Sequence, residues 1–367
     1  MNSAHVGNYK HIRGVHCATA ALRNVVYHKA GVLLSEALVF GIAAGLGFSY
    51  TRTTPSSPVL TMGRGTELES AFCDAMGICL EPAVFFDDDL AWEYVRRQIE
   101  NQELVMLDTD MFLLPYLVEN MGDSIRGLHF GGHKILVTGY DLDAQVAYVA
   151  DYAWPVRSVA LSSLRLARNS ADCPSAPQNR SFVFHFPEKL TGLRTAILLG
   201  ISRNVCLMRN SISYFTGLAA IDRCCRQMTR WNRIFKGEEL ILNLTLASHM
   251  MERAGTGGGN FRNLYSRFLR ESAPLLGEAR LEKIALIYQQ AGRHWTDLSE
   301  LLDESAAQPA KGIFDPARAG GKLLNEIWEL ENEGIHALEE IVDDRFAELE
   351  REEISNYDKS NSNLVCR

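Results

Sequence analysis

The chain reads as an α+β protein whose first half mixes helices with short strands and whose second half is helical throughout. Three observations carry this expectation. Up to Phe186, apolar residues recur at helical spacing and in short runs rich in Val, Ile, Phe and Tyr, bounded by Gly, Asp and Pro. Beyond Pro187 no run of the second kind recurs. A length of 367 residues favours two domains over one. The change of texture sets their boundary, giving a mixed domain over residues 1–188 and a helical domain over residues 189–367.

Taken in order, the spacing of Ala18, Ala21, Leu22, Val25 and Val26 predicts a helix over 17–30, and Ser35 is placed to cap a second one running toward Gly45. Residues 51–66 are dense in Thr, Ser, Pro and Gly and read as turns. An amphipathic helix is expected over 90–101 and a strand from Leu104. Residues 134–140 and 145–151 read as a β-hairpin with a loop of about four residues, and 181–186 as a third strand closing that unit. A polar loop with two prolines separates them at 169–180. Helices are then expected over 192–210, 211–235, 238–253, 260–271, 277–303 and 322–353, with a frayed polar tail after Ile354.

Composition narrows the function classes. The net charge of -8, from 37 Lys+Arg against 45 Asp+Glu, argues against a nucleic-acid partner held by the overall field. The most apolar stretch, 32–48, is interrupted by Ser35, Glu36 and three glycines, so no membrane span is expected. The first thirteen residues carry no apolar run of the secretory kind. Eight cysteines without a C-x-x-C pair need no disulfide framework, and a cytoplasmic location is expected. Charge is uneven within the helical half. Over 189–236 there are nine Lys/Arg against the single Asp222, a local basic face. The last helix carries twelve acidic residues against three basic ones over 322–353, with Leu323, Ile327, Leu330, Leu338, Ile341 and Leu349 as an apolar stripe. That helix reads as a solvated outer face, with a homodimer contact along the stripe as the alternative.

The sharpest constellation is Cys17 opening a helix, His133 opening a strand and Asp151 ending the next strand. A thiolate at a helix N-terminus is favoured by the macrodipole and by free N–H groups. A neighbouring histidine can take its proton and return it to a leaving group, and a carboxylate can fix that imidazole's tautomer and orientation. The competing structural reading makes Cys17 a small core residue, His133 a satisfied strand-end histidine and Asp151 a turn residue. Gly131 and Gly132 allow close approach of backbone or substrate beside His133. They would also break any helix joining His129 to His133, so no metal site is expected. Asp108 and Asp110 read as solvated turn acids. Glu36, in an apolar helix, is either paired with a neighbour such as Arg23 or turned to the cleft.

Several further runs resemble one family. His16-Cys17 with Thr19, Leu22 and Arg23, then Ser35-Glu36, Phe40-Gly41 and Gly45 to Phe48, resemble the N-terminal domain of butirosin biosynthesis protein H. Gly131-Gly132-His133 with Thr138 to Asp141 resembles its histidine strand, and Gly255 to Tyr265 with Phe268-Leu269 resembles the helical domain that follows. The similarity covers roughly residues 10–300.

That resemblance implies a papain-like fold in the first domain and an acyltransferase moving an acyl group from an acyl carrier protein thioester to an amine acceptor, in specialised metabolism. It implies Cys17 as nucleophile, His133 as general base and acid, and Asp151 as orienting carboxylate. A cyclase, a thioesterase or a papain-type amidase or peptidase would use the same residues. Papain-like enzymes keep a glutamine before the cysteine as an oxyanion donor. No glutamine precedes Cys17 here, so His11 or His16, with the Cys17 N–H, is expected to substitute. The basic run 189–236 is the expected docking face for an acidic carrier. Gly257, Gly258 and Gly259, flanked by Arg253 and Arg262, could cradle a pantetheine phosphate, or form a close-packed turn. Glu36 joins them as a candidate for substrate binding. No metal or diffusible cofactor is implied, since the phosphopantetheine arm arrives with the substrate.

Overall fold

Every strand of the first half has an antiparallel partner, but the order across the sheet is not the order along the chain. The computed structural model describes residues 2–52, 54, 57–119, 129–173, 175–209, 214–308 and 320–362. The chain begins with β1 (Ser3–His5), α1 (Cys17–Ala30), α2 (Glu36–Ile42), β2 (Leu46–Thr51), β3 (Leu60–Arg64), α3 (Leu68–Met76), β4 (Cys79–Ala83), α4 (Asp88–Glu100) and β5 (Val105–Thr109). Next come α5 (Pro115–Val118), β6 (His133–Asp141), β7 (Val146–Ala150), β8 (Arg157–Ala160), α6 (Leu161–Arg168) and β9 (Ser181–His185). The remainder is α7 (Leu193–Arg209), α8 (Gly217–Met228), α9 (Trp231–Ile234), α10 (Gly237–Glu252), α11 (Arg262–Leu276), α12 (Arg280–Ala307) and α13 (Gly321–Ser362).

The main sheet runs β4-β9-β5-β6-β7-β8. β6 is its longest strand, pairing with β5 from His133 to Val137 and with β1 from Gly139 to Asp141 on the remaining length. The residues of β5 are buried and apolar or hydrogen-bonded, as a strand covered on both faces requires. α1 packs across β6. It starts at His16, whose Nδ1 accepts the Thr19 N–H, and stops at Gly31, where φ is 67° and a side chain would be strained.

α2 is buried on every side, which explains its apolar sequence. Ser35 Oγ caps it by accepting the Leu38 N–H at 3.0 Å. α7 and α11 of the helical half close over it: a Cβ on Gly41 would lie 2.1 Å from the Phe268 ring, and one on Gly200 2.4 Å from the Gly41 carbonyl oxygen. Glycine at both positions therefore lets three helices meet. The buried apolar residues of the two halves form one continuous cluster. Each of Val39, Phe40 and Ile42 contributes about 1.5–3 kcal/mol by leaving water.

Four expectations are corrected. Residues 51–66 hold the last residue of β2, the connection and the whole of β3, which pair as a hairpin in which Phe48 and Tyr50 of β2 and Val59 just before β3 are buried. The density of Thr, Ser and Pro between the strands hides it. β9 pairs with β4 and β5, not with the 134–151 hairpin, whose outer neighbour is β8. The helix expected over 211–235 is α8 and α9, and residues 211–213 lie outside the described residues. α13 continues past Glu353 to Ser362 rather than fraying after Ile354, while 363–367 lie outside the description. Its buried face consists of Leu324, Ile327, Ile335, Leu338 and Ile341, and α13 packs on α7, α8 and α12, so the apolar side read as a dimer contact is covered within the chain. The side chain of Leu349 lies outside the described residues. Among the described residues no helix is long and apolar enough to cross a membrane.

Candidate active site

Folding brings Cys17, His133 and Asp151 together in the interior. All three are buried, Cys17 being 8% exposed and His133 3%. Cys17 is the first residue of α1, among the N–H groups that no helical carbonyl satisfies. His133 opens β6. Continuing the β6–β7 register from Leu136↔Ala150 sets Asp151 opposite Ile135. It is thus the diagonal neighbour of His133 on one face, a spacing that side chains span. His133 Nε2 lies 2.9 Å from Asp151 Oδ2, and His133 is the neighbour that acts most strongly against burial on the Cys17 thiol.

The electrostatics favour an ion pair between cysteine and histidine. Burial disfavours charge on both. For Cys17 this is outweighed by the hydrogen bond and charge of His133, by the nearby Arg64 and by the Lys134 backbone N–H, and its pKa is lowered. For His133 burial is outweighed by Asp151 and then Cys17, which push its pKa up to about 10. Asp151 is itself held below the usual carboxylate range, since His133 and Tyr116 outweigh its burial. The Tyr116 hydroxyl donates to Asp151 Oδ2 at 2.8 Å and the Tyr152 N–H to Oδ1 at 2.7 Å. Both oxygens of the Asp151 carboxylate are therefore fixed.

The loop ahead of Cys17 is held by buried polar side chains. Glu36 accepts the Val15 N–H at 2.9 Å, the His16 N–H at 2.9 Å and the Thr19 hydroxyl at 2.9 Å. Arg23 stands 3.9 Å from the same carboxylate and donates to the Ile12 and Arg13 carbonyls. Asn24 exchanges hydrogen bonds with the Ile12 backbone. Of the two expectations for Glu36, pairing is what the structure shows: its oxygens are occupied by the loop and are not turned to the cleft. Gly14 packs directly on this carboxylate, where a Cβ would come within 2.6 Å of Oε2.

The two histidines considered for the oxyanion differ in surroundings. His16 is buried, its Nδ1 is engaged at the helix cap, and its ring meets the edge of Phe261 at 5.3 Å. Burial, with Arg64, His133 and Lys134, keeps it neutral. His11 lines a cavity of about 10 Å³ together with Cys17, Asn24, Asp151 and Tyr152. Its Nδ1 meets the Tyr9 hydroxyl at 3.2 Å, while its buried Nε2 makes no well-formed hydrogen bond. Burial is the main reason that its pKa is lowered. A space of that size holds about one water-sized atom.

The glycine run forms a close-packed turn. Gly255, Gly257, Gly258, Gly259, Asn260 and Phe261 all have positive φ, from 52° to 83°, which explains the glycines. Within the turn the Gly258 N–H is taken by Thr256 Oγ1 and the Gly259 N–H by Glu252 Oε2. Arg253 donates to Asp303 and Ser248. Arg262 is fully buried against Glu331 and the Gly63 carbonyl. These groups are spent inside the fold, so the phosphate cradle expected of Gly257–Gly259 with Arg253 and Arg262 is not formed. Instead the turn lies against the loop ahead of Cys17, with the Gly255 Cβ position 3.3 Å from the Val15 carbonyl.

Other expectations shift in the same way. Gly131 admits the Ser175 backbone, 2.1 Å from where a Cβ would be, rather than a substrate. Asp108 and Asp110 are buried, not solvated. Asp108 pairs with Lys134, and Asp110 holds His129 at 2.5 Å and Ser170 at 2.7 Å. The cations of 189–236 do not make one face. Arg194, Arg203 and Arg209 bond to other elements of the fold. Arg226, Arg230 and Arg233 line a groove of about 620 Å³ with Lys322, sharing no residue with the Cys17 cavity. Tyr116 and Arg64 were not singled out by the sequence, and no local pattern marks either.

A thiol at a helix start, an imidazole and a carboxylate meet here in the spatial order that cysteine nucleophiles require. Residues 16–152, which include all three side chains, match the family described as butirosin biosynthesis protein H, N-terminal. Residues 162–338 match a domain of unknown function (DUF4872). Residues 16–152 thus belong to the butirosin biosynthesis protein H N-terminal family. No curated protein is significantly similar to it.

Proposed function

We propose that this protein is a cysteine acyltransferase with a papain-like catalytic half, which takes an acyl group from a carrier-bound thioester and passes it to an amine. The observation that carries the reading is the buried Cys17–His133–Asp151 arrangement, in which the cysteine is pushed toward thiolate and the histidine toward imidazolium. The family's name links it to butirosin biosynthesis, and so to specialised metabolism. The Cys17 thiolate attacks the thioester carbonyl carbon, and the tetrahedral oxyanion is met by the Cys17 N–H and His11 Nε2. The carbon–sulfur bond to the carrier arm breaks, and the arm leaves with the His133 proton. An amine then attacks the acyl-enzyme, giving its proton to His133 as the Cys17 thiolate departs. No metal or diffusible cofactor enters these steps. The carrier is an acidic acyl carrier protein, for which the groove lined by Arg226, Arg230, Arg233 and Lys322 supplies cations.

Product analysis tests the reading. With an acyl-pantetheine thioester and a panel of small amines, amide is expected to exceed free acid; free acid alone with every amine would make the protein a thioesterase. The pH dependence supplies a second prediction. Because His133 must be protonated to release the arm, kcat/KM is retained as pH rises until that proton is lost near 10. In Asp151→Asn the charge that raises the His133 pKa is gone, so the alkaline limb is expected to move to lower pH. An unmoved limb would show that Asp151 does not act through His133.

A further inference from the structure

Residues 162–338 match a domain of unknown function, yet one of their turns closes on the residue beside Cys17. Phe261, at the end of the glycine turn, is 3% exposed. Its ring stacks on Phe40 of α2, with centroids 5.5 Å apart and planes within 2° of parallel, and stands at 83° to the His16 imidazole, 5.3 Å away. The same turn meets His16 again at Gly255, whose Cβ position lies 3.7 Å from Cδ2 of the imidazole. Phe261 holds this place with φ 70° and ψ -6°, a conformation rare for a bulky side chain. Backbone of that kind persists where the surroundings over-determine it, as they do here. Arg262, fully buried, donates Nη1 to the Gly63 and Asn260 carbonyls, both at 2.7 Å, and Nε to Glu331 of α13. Glu331 also accepts the Trp295 indole N–H at 3.0 Å. Gly259 packs on the Gly292 backbone of α12, 2.7 Å from its Cβ position. β3, α12 and α13 thus converge on the backbone that carries one aromatic ring.

His16 joins this ring to the chemistry. Its Nδ1 accepts the Thr19 N–H and caps α1, and Cys17 is the next residue, so the imidazole and the start of the helix are set together. Glu36 fixes the His16 backbone N–H, while the ring beyond Nδ1 packs on Phe261 and Gly255. We propose that Phe261 is a positioning residue for Cys17, acting through His16, and that holding it is a function of the helical half. The proposal rests on the reading of Cys17 as a reactive thiol served by His133. With the Phe261 ring gone, the imidazole loses its support, the first turn of α1 shifts, and the thiol leaves its place against His133.

The test reads the rate of Cys17 alkylation by iodoacetamide at pH 6, by peptide mapping, beside the urea midpoint of each full-length variant. Phe261→Leu is expected to slow alkylation by about tenfold or more, within the roughly hundredfold that a 1 Å misplacement can cost. Phe268→Leu is the matched control, since Phe268 is as deeply buried but packs on Gly41 rather than on His16. It should lower the urea midpoint and leave the rate unchanged. The route through His16 is read by a double-mutant cycle. His16→Ser keeps an oxygen to cap α1 and removes the imidazole, so in that background Phe261→Leu should change the rate by less than about twofold. Phe261→Met, flexible and close in volume, gives the same reading where the leucine variant does not fold. A native rate in Phe261→Leu or Phe261→Met, an equal slowing in Phe268→Leu, or an undiminished effect in the His16→Ser background would overturn the proposal while leaving Cys17 a reactive thiol. Native protein alkylated no faster than His133→Asn would instead remove the reactive thiol, and the role of Phe261 with it.

Discussion

In His133→Asn, alkylation of Cys17 by iodoacetamide at pH 6 is expected to slow by about 10²–10⁴-fold relative to the native protein, the range ascribed to a positioned acid–base group. Burial alone drives the Cys17 thiol toward its neutral form, and the His133 hydrogen bond and charge are the leading opposing effects. Asparagine retains an N–H for Asp151 but cannot hold the thiol's proton. Peptide mapping is needed, because Cys79 and Cys206 are exposed and react independently. Native and variant proteins alkylated at equal, slow rates would make Cys17 a core residue and nothing more.

The second large effect concerns stability. Glu36→Ala is expected to destabilise the fold by about 3–5 kcal/mol, measured by urea unfolding, because it strands several buried partners at once. The Val15 and His16 N–H groups and the Thr19 hydroxyl lose their acceptor, and Arg23 loses its neighbouring charge. No other carboxylate forms a hydrogen bond with that loop among the described residues, so relaxation offers little compensation. Cys17 reactivity should fall in parallel, since the loop sets the start of α1. A loss under about 1 kcal/mol would mean that water replaces the carboxylate and that the loop is held chiefly by Asn24 and Arg23.

Much of this arrangement was legible in the sequence, because it rests on local rules. The helix cap at Ser35, the stop at Gly31 and the hairpin around residues 142–145 follow from capping and turn chemistry. Cys17, His133 and Asp151 were found because a helix start and a hairpin put distinctive residue types at predictable ends. Contacts between distant segments were not legible. Tyr116 reaches Asp151 from α5, Glu36 reaches back to residues 15 and 16, and the glycine turn at 255–259 folds against Val15. β4 shows no alternation and contains Pro82, which an edge strand tolerates but which hides it from pattern reading. Arg253 and Arg262 illustrate the opposite failure. Basic residues beside a glycine run suggested an anion site, yet their partners Asp303 and Glu331 lie 50 and 69 residues away in sequence.

The central claim is that Cys17 carries the acyl group, and intact-protein mass spectrometry tests it most directly. The native protein and Cys17→Ala are incubated with an acyl-pantetheine thioester and no acceptor. The account predicts a mass increase equal to the acyl group in the native protein and none in the variant. An unmodified native protein across several acyl groups, or an adduct that persists in Cys17→Ala, would contradict it.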